Sequence, residues 1–228
     1  MKQNKFKKQK KRPPTLTEKE RLEGSKFRIL NEKLYTTTSD KAKQMFDEHP
    51  EYFDIMHRGF TNQATTWPIV PVDYVIKWIQ TNHHPPEIIA DMGCGEAKIS
   101  ASVPNKVYSF DFKAKNDKVI ECDMSHTPLE NESVDVVVFV LSLMGTNLGE
   151  FIQEARRIIK KSGRLLIIEV TSRIDDLDTF VKSVEERGFH LASKKDLTNY
   201  FVCVEFTVCD PTNITTEIKL KPCIYKRR

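Results

Sequence analysis

Two glycines one residue apart follow an apolar run that ends in an acid. Residues 88–96 read Ile-Ile-Ala-Asp-Met-Gly-Cys-Gly-Glu, which predicts a buried strand that runs into a tight turn. Gly93 and Gly95 can adopt backbone angles closed to other residues, and they let a ligand lie against the main chain. Asp91 would then stand at the carboxyl end of the strand, where open α/β sheets bind ligands. A Gly-x-Gly turn alone is a weak signal, because most such turns bind nothing.

Acids also end the next two apolar runs. Residues 106–110 run into Asp111, which lies 20 positions after Asp91, and residues 118–122 run into Asp123. An acid at the tip of the second strand is placed to accept hydrogen bonds from ribose hydroxyls. Three carboxylates at one edge of a parallel sheet would suit a nucleoside with free hydroxyls and an amine, and they would repel a pyrophosphate.

An aromatic-rich segment, residues 51–71, precedes the first strand. Its aromatic side chains are interleaved with hydrogen-bonding groups, which suits a surface that grips a planar ligand. Packing of a helix onto the sheet is the simpler explanation for most of these aromatics. His57 and Arg58 differ from them, because two side chains that can carry positive charge, next to Gly59, are rarely buried in a protein core. They could meet the carboxylate of an amino-acid-like cofactor.

The composition of the 228-residue chain indicates one substantial domain with an appendage. Its five cysteines include no CxxC pair, and no His/Cys cluster has metal-ligand spacing, so we expect reduced thiols in an intracellular protein and no metal. No apolar run approaches the ~20 residues of a membrane helix, and the start lacks a secretory signal. Net charge is only +4, but seven of residues 2–12 are Lys or Arg, which favours nuclear import or nucleic-acid contact.

The order of apolar runs and amphipathic segments predicts the fold class. Between residues 88 and 187 strands alternate with helices, which predicts an α/β fold with a doubly wound, mostly parallel sheet, and two final strands would add an antiparallel hairpin. A basic disordered tail (1–14) and a helical N-terminal extension over the site (15–70) would precede the main domain (71–228). Finer expectations are a break in the first helix near Gly24, a short helix over 96–101, a turn over 161–163 and a partly β-like segment after 209.

Several stretches of the chain resemble known methyltransferases. Asp-Met-Gly-Cys-Gly-Glu (91–96) resembles the first motif of class I methyltransferases, with Ala97 in place of the usual third glycine. Six further stretches resemble the ribosomal RNA-processing protein 8 family: His-Arg-Gly-Phe (57–60), Trp-Pro (67–68), Cys-Asp-Met (122–124), Leu-Ser-Leu-Met-Gly-Thr-Asn (141–147), Lys-Asp-Leu-Thr-Asn (195–199) and Pro-Cys-Ile-Tyr-Lys-Arg-Arg (222–228). The similarity covers roughly residues 45–228.

The resemblance implies a fold, a cofactor and a reaction. The fold would be a seven-stranded Rossmann-like methyltransferase domain, and the cofactor S-adenosyl-L-methionine. The reaction would form N1-methyladenosine in large-subunit ribosomal RNA, during ribosome biogenesis in the nucleus and nucleolus. Partners would be ribosomal RNA or a pre-ribosomal particle and, for the animal member, factors that silence ribosomal DNA.

The resemblance also implies residues for the methionine end of the cofactor. Gly93 and Gly95 would let the methionine chain lie against the backbone, with His57 and Arg58 near its carboxylate. The main chain at Val140 would lie beside the sulfonium; the family often has Cys at this position.

At the adenosine end, Asp111 would hold the ribose hydroxyls, Asp123 would accept from the adenine amino group and Met124 would pack on the ring. Asp123 could instead cap the loop after its strand. Candidates for contact with the substrate base lie in Leu141–Asn147, after the fourth strand, where related folds place substrate-contacting residues, and we name Thr146 and Asn147 among them. A capping role for Thr146 at the next helix is an equal alternative.

Three basic groups would contact RNA phosphates: Lys2–Arg12, the group Arg156, Arg157, Lys160 and Lys161, and Lys226–Arg228. The alternative function is a non-catalytic nucleolar module that senses the cofactor and recruits chromatin in ribosomal DNA silencing. A third option is methylation of a protein or a small molecule.

Overall fold

The computed structural model describes residues 17–223, so the predicted tail (1–14) and Lys226–Arg228 lie outside the described residues. The helices of this part are α1 (Glu18–Tyr35), α2 (Ser39–Glu48), α3 (Pro50–Ala64), α4 (Pro71–Asn82), α5 (Leu148–Ile158) and α6 (Leu177–Glu185). The strands are β1 (Ile88–Met92), β2 (Lys106–Asp111), β3 (Val119–Glu121), β4 (Val134–Val140), β5 (Ile159–Val170), β6 (Phe189–Asp196) and β7 (Phe201–Val208). None of the helices in residues 17–223 is both long and apolar enough to cross a membrane.

All seven strands form one sheet in the order β3-β2-β1-β4-β5-β7-β6. Strands β1 to β5 pair in parallel, whereas β7 pairs antiparallel with β5 and with β6. The predicted doubly wound sheet with a final hairpin is therefore confirmed. Because parallel strands end at one edge, the tips of β1, β2 and β4 lie side by side, on either side of the point where the strand order reverses.

The two faces of the sheet carry separate apolar cores. In β1, Ala90 and Met92 point toward α5 and α6, whereas Ile89 points toward α4. Strand β4 alternates in the same way, as expected for a central parallel strand buried on both faces. Asp135, the acid that interrupts β4, accepts from the backbone N–H of Ile88 (2.8 Å) and pairs with Lys160 Nζ (2.8 Å).

Helices α1 to α3 form the N-terminal extension and pack around an apolar cluster of their own. Its members are Phe27, Leu30, Leu34, Ala42, Met45, Phe46, Phe53, Ile55 and Met56. Phe112, after β2, and Met144, after β4, pack against this cluster. The extension is thereby seated over the strand tips rather than along the side of the sheet.

Four finer expectations differ from the structure. Helix α1 runs unbroken through Gly24, because packing of Phe27 and Leu30 in the apolar cluster of α1 to α3 outweighs the low helix propensity of glycine. Residues 96–101 form a series of turns rather than a regular helix. The predicted turn at 161–163 is an irregularity inside β5, where the partner of β4 shifts from Ile159 to Arg164.

The fourth difference is the segment after β7, which contains no strand as far as residue 223. Glu186 instead accepts from the backbone N–H groups of Thr215 (2.9 Å) and Thr216 (2.7 Å), and buried Ile218 joins the core below α6. Hydrogen bonds to the Glu186 side chain therefore hold this segment, which does not pair with a strand of the sheet.

Candidate functional site

A cavity of about 330 Å³ lies at the carboxyl-terminal edge of the sheet. Its sheet side includes Gly93 after β1, Asp111 at the end of β2 and Val140 at the end of β4, and its roof includes Phe46 of α2 and His57 of α3. The volume lies in the range of roughly 300–1,000 Å³ that small-molecule sites occupy. The N-terminal extension therefore encloses the position where the sequence places a ligand.

The glycine turn has no room for side chains. Gly93 (φ +80°) and Gly95 (φ +60°) adopt left-handed backbone conformations. A Cβ on Gly93 would stand 2.4 Å from the Cβ of Ser142, and a Cβ on Gly95 would stand 3.2 Å from His57 Cε1. Both glycines line the cavity, so their missing side chains leave the turn's backbone open to a ligand.

Ala97, at the place of the usual third glycine, also has a positive φ of 57° and is fully buried. A left-handed conformation costs a residue with a Cβ roughly 1–2 kcal/mol. At this position a glycine would adopt the same backbone conformation without that cost.

Asp111 is held by two backbone donors at the tip of β2. Its Oδ2 accepts from Gly95 N (2.7 Å) and its Oδ1 from Phe112 N (2.8 Å). Burial raises the pKa of Asp111 to about 6, although these two hydrogen bonds oppose the shift. Each carboxylate oxygen retains a further lone pair for a ligand hydroxyl.

Asp91 lies beneath the cavity rather than in its wall. It is 3% exposed, and burial, followed by repulsion from Asp111, raises its pKa to about 7. The two acids are therefore close enough to interact, and the inner one is kept from ionising readily.

His57 lies between Phe53, in the apolar cluster of α1 to α3, and Gly95 of the glycine turn. Its ring contacts Phe53 with centroids 4.2 Å apart. Burial and then the nearby Lys115 lower the pKa of His57 to about 4. The sequence suggests His57 as a positive group, but at neutral pH it is an uncharged hydrogen-bonding group.

Arg58 is exposed and lines a neighbouring depression of about 320 Å³ that also includes Asp54, Glu96 and Lys115. His57 and Thr61 line both spaces. Arg58 is thus adjacent to the cavity and not among the residues that line it.

Met124 and Val140 line the cavity, whereas Asp123 does not. Asp123 is half-buried, and its Oδ1 accepts from the backbone N–H of Ser125 (2.9 Å). This is the loop-capping alternative that the sequence leaves open. The remaining oxygen atoms of a carboxylate can still accept from a ligand, so contact with adenine stays a prediction.

Thr146 and Asn147 are joined to the N-terminal extension and do not line the cavity. Thr146 N donates to Thr37 O (3.0 Å). The Asn147 side chain accepts from Ser39 N (3.0 Å) and donates to Ser39 Oγ (2.9 Å). Both candidates therefore attach the start of α2 to the loop after β4, and Asn147, not Thr146, is the cap residue of α5.

Sequence reasoning did not name Cys94 or Phe110 as cavity residues, and it included Ser142 only within the segment 141–147; it treated Trp67 mainly as packing. The signal for Ser142 was its place directly after the fourth strand, at the same edge as the glycine turn. Its residue type gave no further indication.

The internal basic group lies at the opposite edge of the sheet, where β5 begins. Arg157 pairs with buried Glu154 (2.6 Å), Lys160 pairs with Asp135, and Arg156 donates to Cys209 O (3.1 Å). Three of its four members are thus engaged within the protein, and RNA contact by this group stays a prediction. Within residues 17–223 no group of three His, Cys, Asp or Glu could hold a metal ion.

The chain matches a family model described as "Hypothetical methyltransferase" over residues 14–228. Ribosomal RNA-processing protein 8 of Arabidopsis thaliana is 46% identical, over 92% of this chain and 76% of the relative. The Caenorhabditis elegans protein of the same name is 44% identical, over 94% of this chain and 64% of the relative. The 25S rRNA (adenine(645)-N(1))-methyltransferase of Schizosaccharomyces pombe is 41% identical, over 92% of this chain and 71% of the relative.

Solved structures agree on the fold. A TehB-like SAM-dependent methyltransferase from Corynebacterium glutamicum superposes with a TM-score of 0.53 at 17% identity, over 70% of this chain and 100% of that one. An N1-methyltransferase acting on 1,6-didemethyltoxoflavin, from Burkholderia thailandensis, gives 0.55 at 11% identity, over 70% and 90%. With the cavity at its strand tips, its seven-stranded sheet and these relatives, the chain belongs to the ribosomal RNA-processing protein 8 family of class I methyltransferases.

Proposed function

We propose that this chain transfers a methyl group from S-adenosyl-L-methionine to N1 of an adenine in large-subunit ribosomal RNA. The observation that carries the proposal is the cavity in which the glycine turn and the Asp111 carboxylate meet at the tips of β1 and β2. The names of the relatives, a 25S rRNA adenine N1-methyltransferase among them, support this substrate class.

The residues of the cavity fit this cofactor. The side-chain-free turn at Gly93 and Gly95 accommodates the methionine chain, with neutral His57 as a hydrogen-bonding partner and Arg58 at the neighbouring depression. Asp111 would accept from the ribose hydroxyls. Met124, 7% exposed, would pack against adenine, with Asp123 beside the amino group. Val140 would lie near the sulfonium.

The reaction requires the protein to position the reacting atoms, and it does not require a strong base. When bound, the sulfonium supplies an electrophilic methyl group. Adenine N1 carries a free lone pair and has a pKa below neutrality, so no residue has to remove a proton from it. The cavity must exclude water and hold the reacting atoms about 3–3.5 Å apart and in line.

The substrate must expose its Watson–Crick edge, because N1 lies there. The target base would therefore leave its helix or lie in an unpaired region before it enters the cavity. The basic segments Lys2–Arg12 and Lys226–Arg228 would hold the RNA backbone through phosphate contacts that weaken with salt. Such a reaction belongs to ribosome biogenesis, and from it we infer a location in the nucleus and nucleolus.

Transfer of radiolabelled methyl groups tests the proposal. Purified protein should label deproteinised large-subunit ribosomal RNA, and nuclease digestion should yield labelled N1-methyladenosine. Binding of the cofactor without any transfer would favour the alternative, a nucleolar cofactor-sensing module in ribosomal DNA silencing. Transfer to protein or to a small molecule without RNA would reject the RNA substrate.

A further inference from the structure

A buried arginine joins several parts of the chain that surround the cavity. Arg173 ends the single 3-10 turn that follows β5 (Thr171–Arg173), and its side chain is only 1% exposed. Its guanidinium forms an ion pair with Glu169 of β5, in which Nη1 and Oε2 lie 2.7 Å apart. The other two nitrogens donate to main-chain carbonyls, Nη2 to Leu143 O (2.7 Å) and Nε to Lys221 O (2.8 Å). One side chain thus connects β5, the segment after β4 and the C-terminal segment.

The carbonyl of Leu143 belongs to the segment that forms one wall of the cavity. Ser142 and Met144, on either side of it, line the cavity, and so does Leu141. Leu141 has a left-handed backbone (φ +57°), a conformation that persists only where the surroundings determine it. The hydrogen bond from Arg173 is therefore placed to hold the shape of this wall.

The guanidinium also contacts the N-terminal extension that covers the cavity. Its Cζ lies 4.4 Å from the ring centroid of Tyr35, the last residue of α1. The preceding residue, Leu34, lines the cavity. Asn31, one turn earlier, donates from Nδ2 to Cys223 O (2.8 Å), so the C-terminal segment holds the same helix. Arg173 therefore links the wall after β4 to the end of the helix above it.

Stability alone does not account for an arginine at this place. The cost of removing two charges from water offsets much of their attraction, and apolar side chains of similar volume often give an equally stable core. Arginine differs from other residues because its planar fork of five N–H donors can reach several acceptors in fixed directions at once. Three acceptors on three segments are engaged here. The side chain is therefore suited to fixing the relative positions of these segments.

We infer that Arg173 is a positioning residue for the cofactor, which fixes the wall segment 141–144 against the end of α1 before S-adenosylmethionine binds. The inference rests on the cofactor of the proposed function and not on its RNA substrate. Arg173 is not among the residues that line the cavity, so it acts through the segments that it joins. If the wall and α1 separate in most molecules, the apparent affinity falls with the fraction that remains assembled.

The test compares Arg173→Lys with Arg187→Lys. Lysine keeps a positive charge but cannot reach three acceptors in the directions that the guanidinium does. Arg187 is the matched control, because it is 7% exposed and also donates to main-chain carbonyls, those of Ser183 and Thr216. It holds the same C-terminal segment near the end of α6, away from the cavity.

Tyr35→Leu is a second variant, which leaves the buried ion pair intact. It removes the ring next to the guanidinium and leaves the hydrogen bond to Leu143 in place, so it tests the link to α1 if Arg173→Lys does not fold. Isothermal titration, well below the melting temperature of each variant, measures the affinity for S-adenosylmethionine. Thermal melting measures stability, and amide hydrogen exchange locates the segments that open.

For Arg173→Lys and Tyr35→Leu we expect the Kd for the cofactor to rise about tenfold, with faster amide exchange in residues 141–144. Arg187→Lys should also lower the melting temperature, but it should change Kd less than about twofold and speed exchange around residues 212–216 instead. These results would separate positioning of the cavity from general stability.

The inference is overturned if Arg173→Lys binds the cofactor as tightly as the wild type or, should that variant not fold, if Tyr35→Leu does. It is also overturned if Arg187→Lys loses as much affinity, because the loss then reflects general destabilisation. A wild type that does not bind the cofactor overturns the proposed function and this inference with it, and that failure is seen before any variant is compared.

Discussion

The backbone N–H of Gly95 donates a 2.7 Å hydrogen bond to Oδ2 of Asp111. This bond joins the turn after β1 to the tip of the neighbouring strand β2. The carboxylate thereby holds the glycine turn and keeps lone pairs free toward the cavity, where we propose that a ribose binds. Loss of its charge should affect both tasks.

Asp111→Asn should weaken binding of S-adenosylmethionine by about ten- to hundredfold. An amide oxygen replaces a charged acceptor, and hydrogen bonds to charged groups are worth about 1.5–3 kcal/mol. Isothermal titration measures the change, with the exposed loop residue Asp117 changed to Asn as the matched control. Equal affinity of both variants and the wild type would remove Asp111 from the cofactor site.

Cofactor affinity should also depend on pH. The pKa of Asp111 is raised to about 6, and we propose that its ionised form accepts the ribose hydroxyls. Affinity should therefore be constant above about pH 7 and should fall, by up to about tenfold per unit, as pH drops below about 6. His57, with a pKa lowered to about 4, stays neutral through this window, whereas the adjacent Asp91, with a pKa raised to about 7, titrates close to it. The profile of Asp111→Asn should lose this fall, and an unchanged profile would assign the titration to another group.

Gly93→Ala should abolish cofactor binding and destabilise the protein. The new Cβ would meet Ser142 at 2.4 Å on a backbone with φ +80°, and the left-handed conformation alone costs roughly 1–2 kcal/mol. The control is Gly24→Ala in α1, where the nearest atom to the new Cβ is Arg28 Nη1 at 3.5 Å. That change should stabilise by about 0.5–1 kcal/mol. Urea titration measures both, and equal effects would contradict the crowding at Gly93.

Arg173→Ala should cost about 3–5 kcal/mol of unfolding free energy. Arg173 and Glu169 pair at 2.7 Å with side chains only 1% exposed, so the substitution leaves a buried, unpaired carboxylate. The control pair, Lys194 and Asp178, is largely exposed, and Lys194→Ala should cost less than about 1 kcal/mol. Similar losses in the two variants, measured by urea titration, would show that the buried pair contributes no more than a surface pair.

Much of the sheet could be predicted because its strands are apolar runs with clear ends. The runs before Asp91 and Asp111 needed only their local sequence, and the hairpin of β6 and β7 needed only a short polar link. Helix α1 continues through Gly24 because residues far along the chain, Phe46 and Phe53 among them, complete its core. No local pattern contains that information.

The lining of the cavity was partly predictable, because part of it follows directly from the ends of the predicted strands. Gly93, Gly95 and Asp111 follow strands that lie side by side in a parallel sheet, so their convergence follows from topology. The partners of Asn147 depend on how the N-terminal helices lie over the strand tips. Asn147 meets Ser39, 108 residues earlier in the chain, which removes it from the cavity.

Mapping of N1-methyladenosine in large-subunit ribosomal RNA is the most direct test of the account. RNA from cells with and without this protein would be compared by mass spectrometry of defined fragments. The account predicts one adenine that loses its N1-methyl group without the protein and regains it with the wild type but not with Asp111→Asn. Equal N1-methylation at every adenine in the two RNA samples would contradict it.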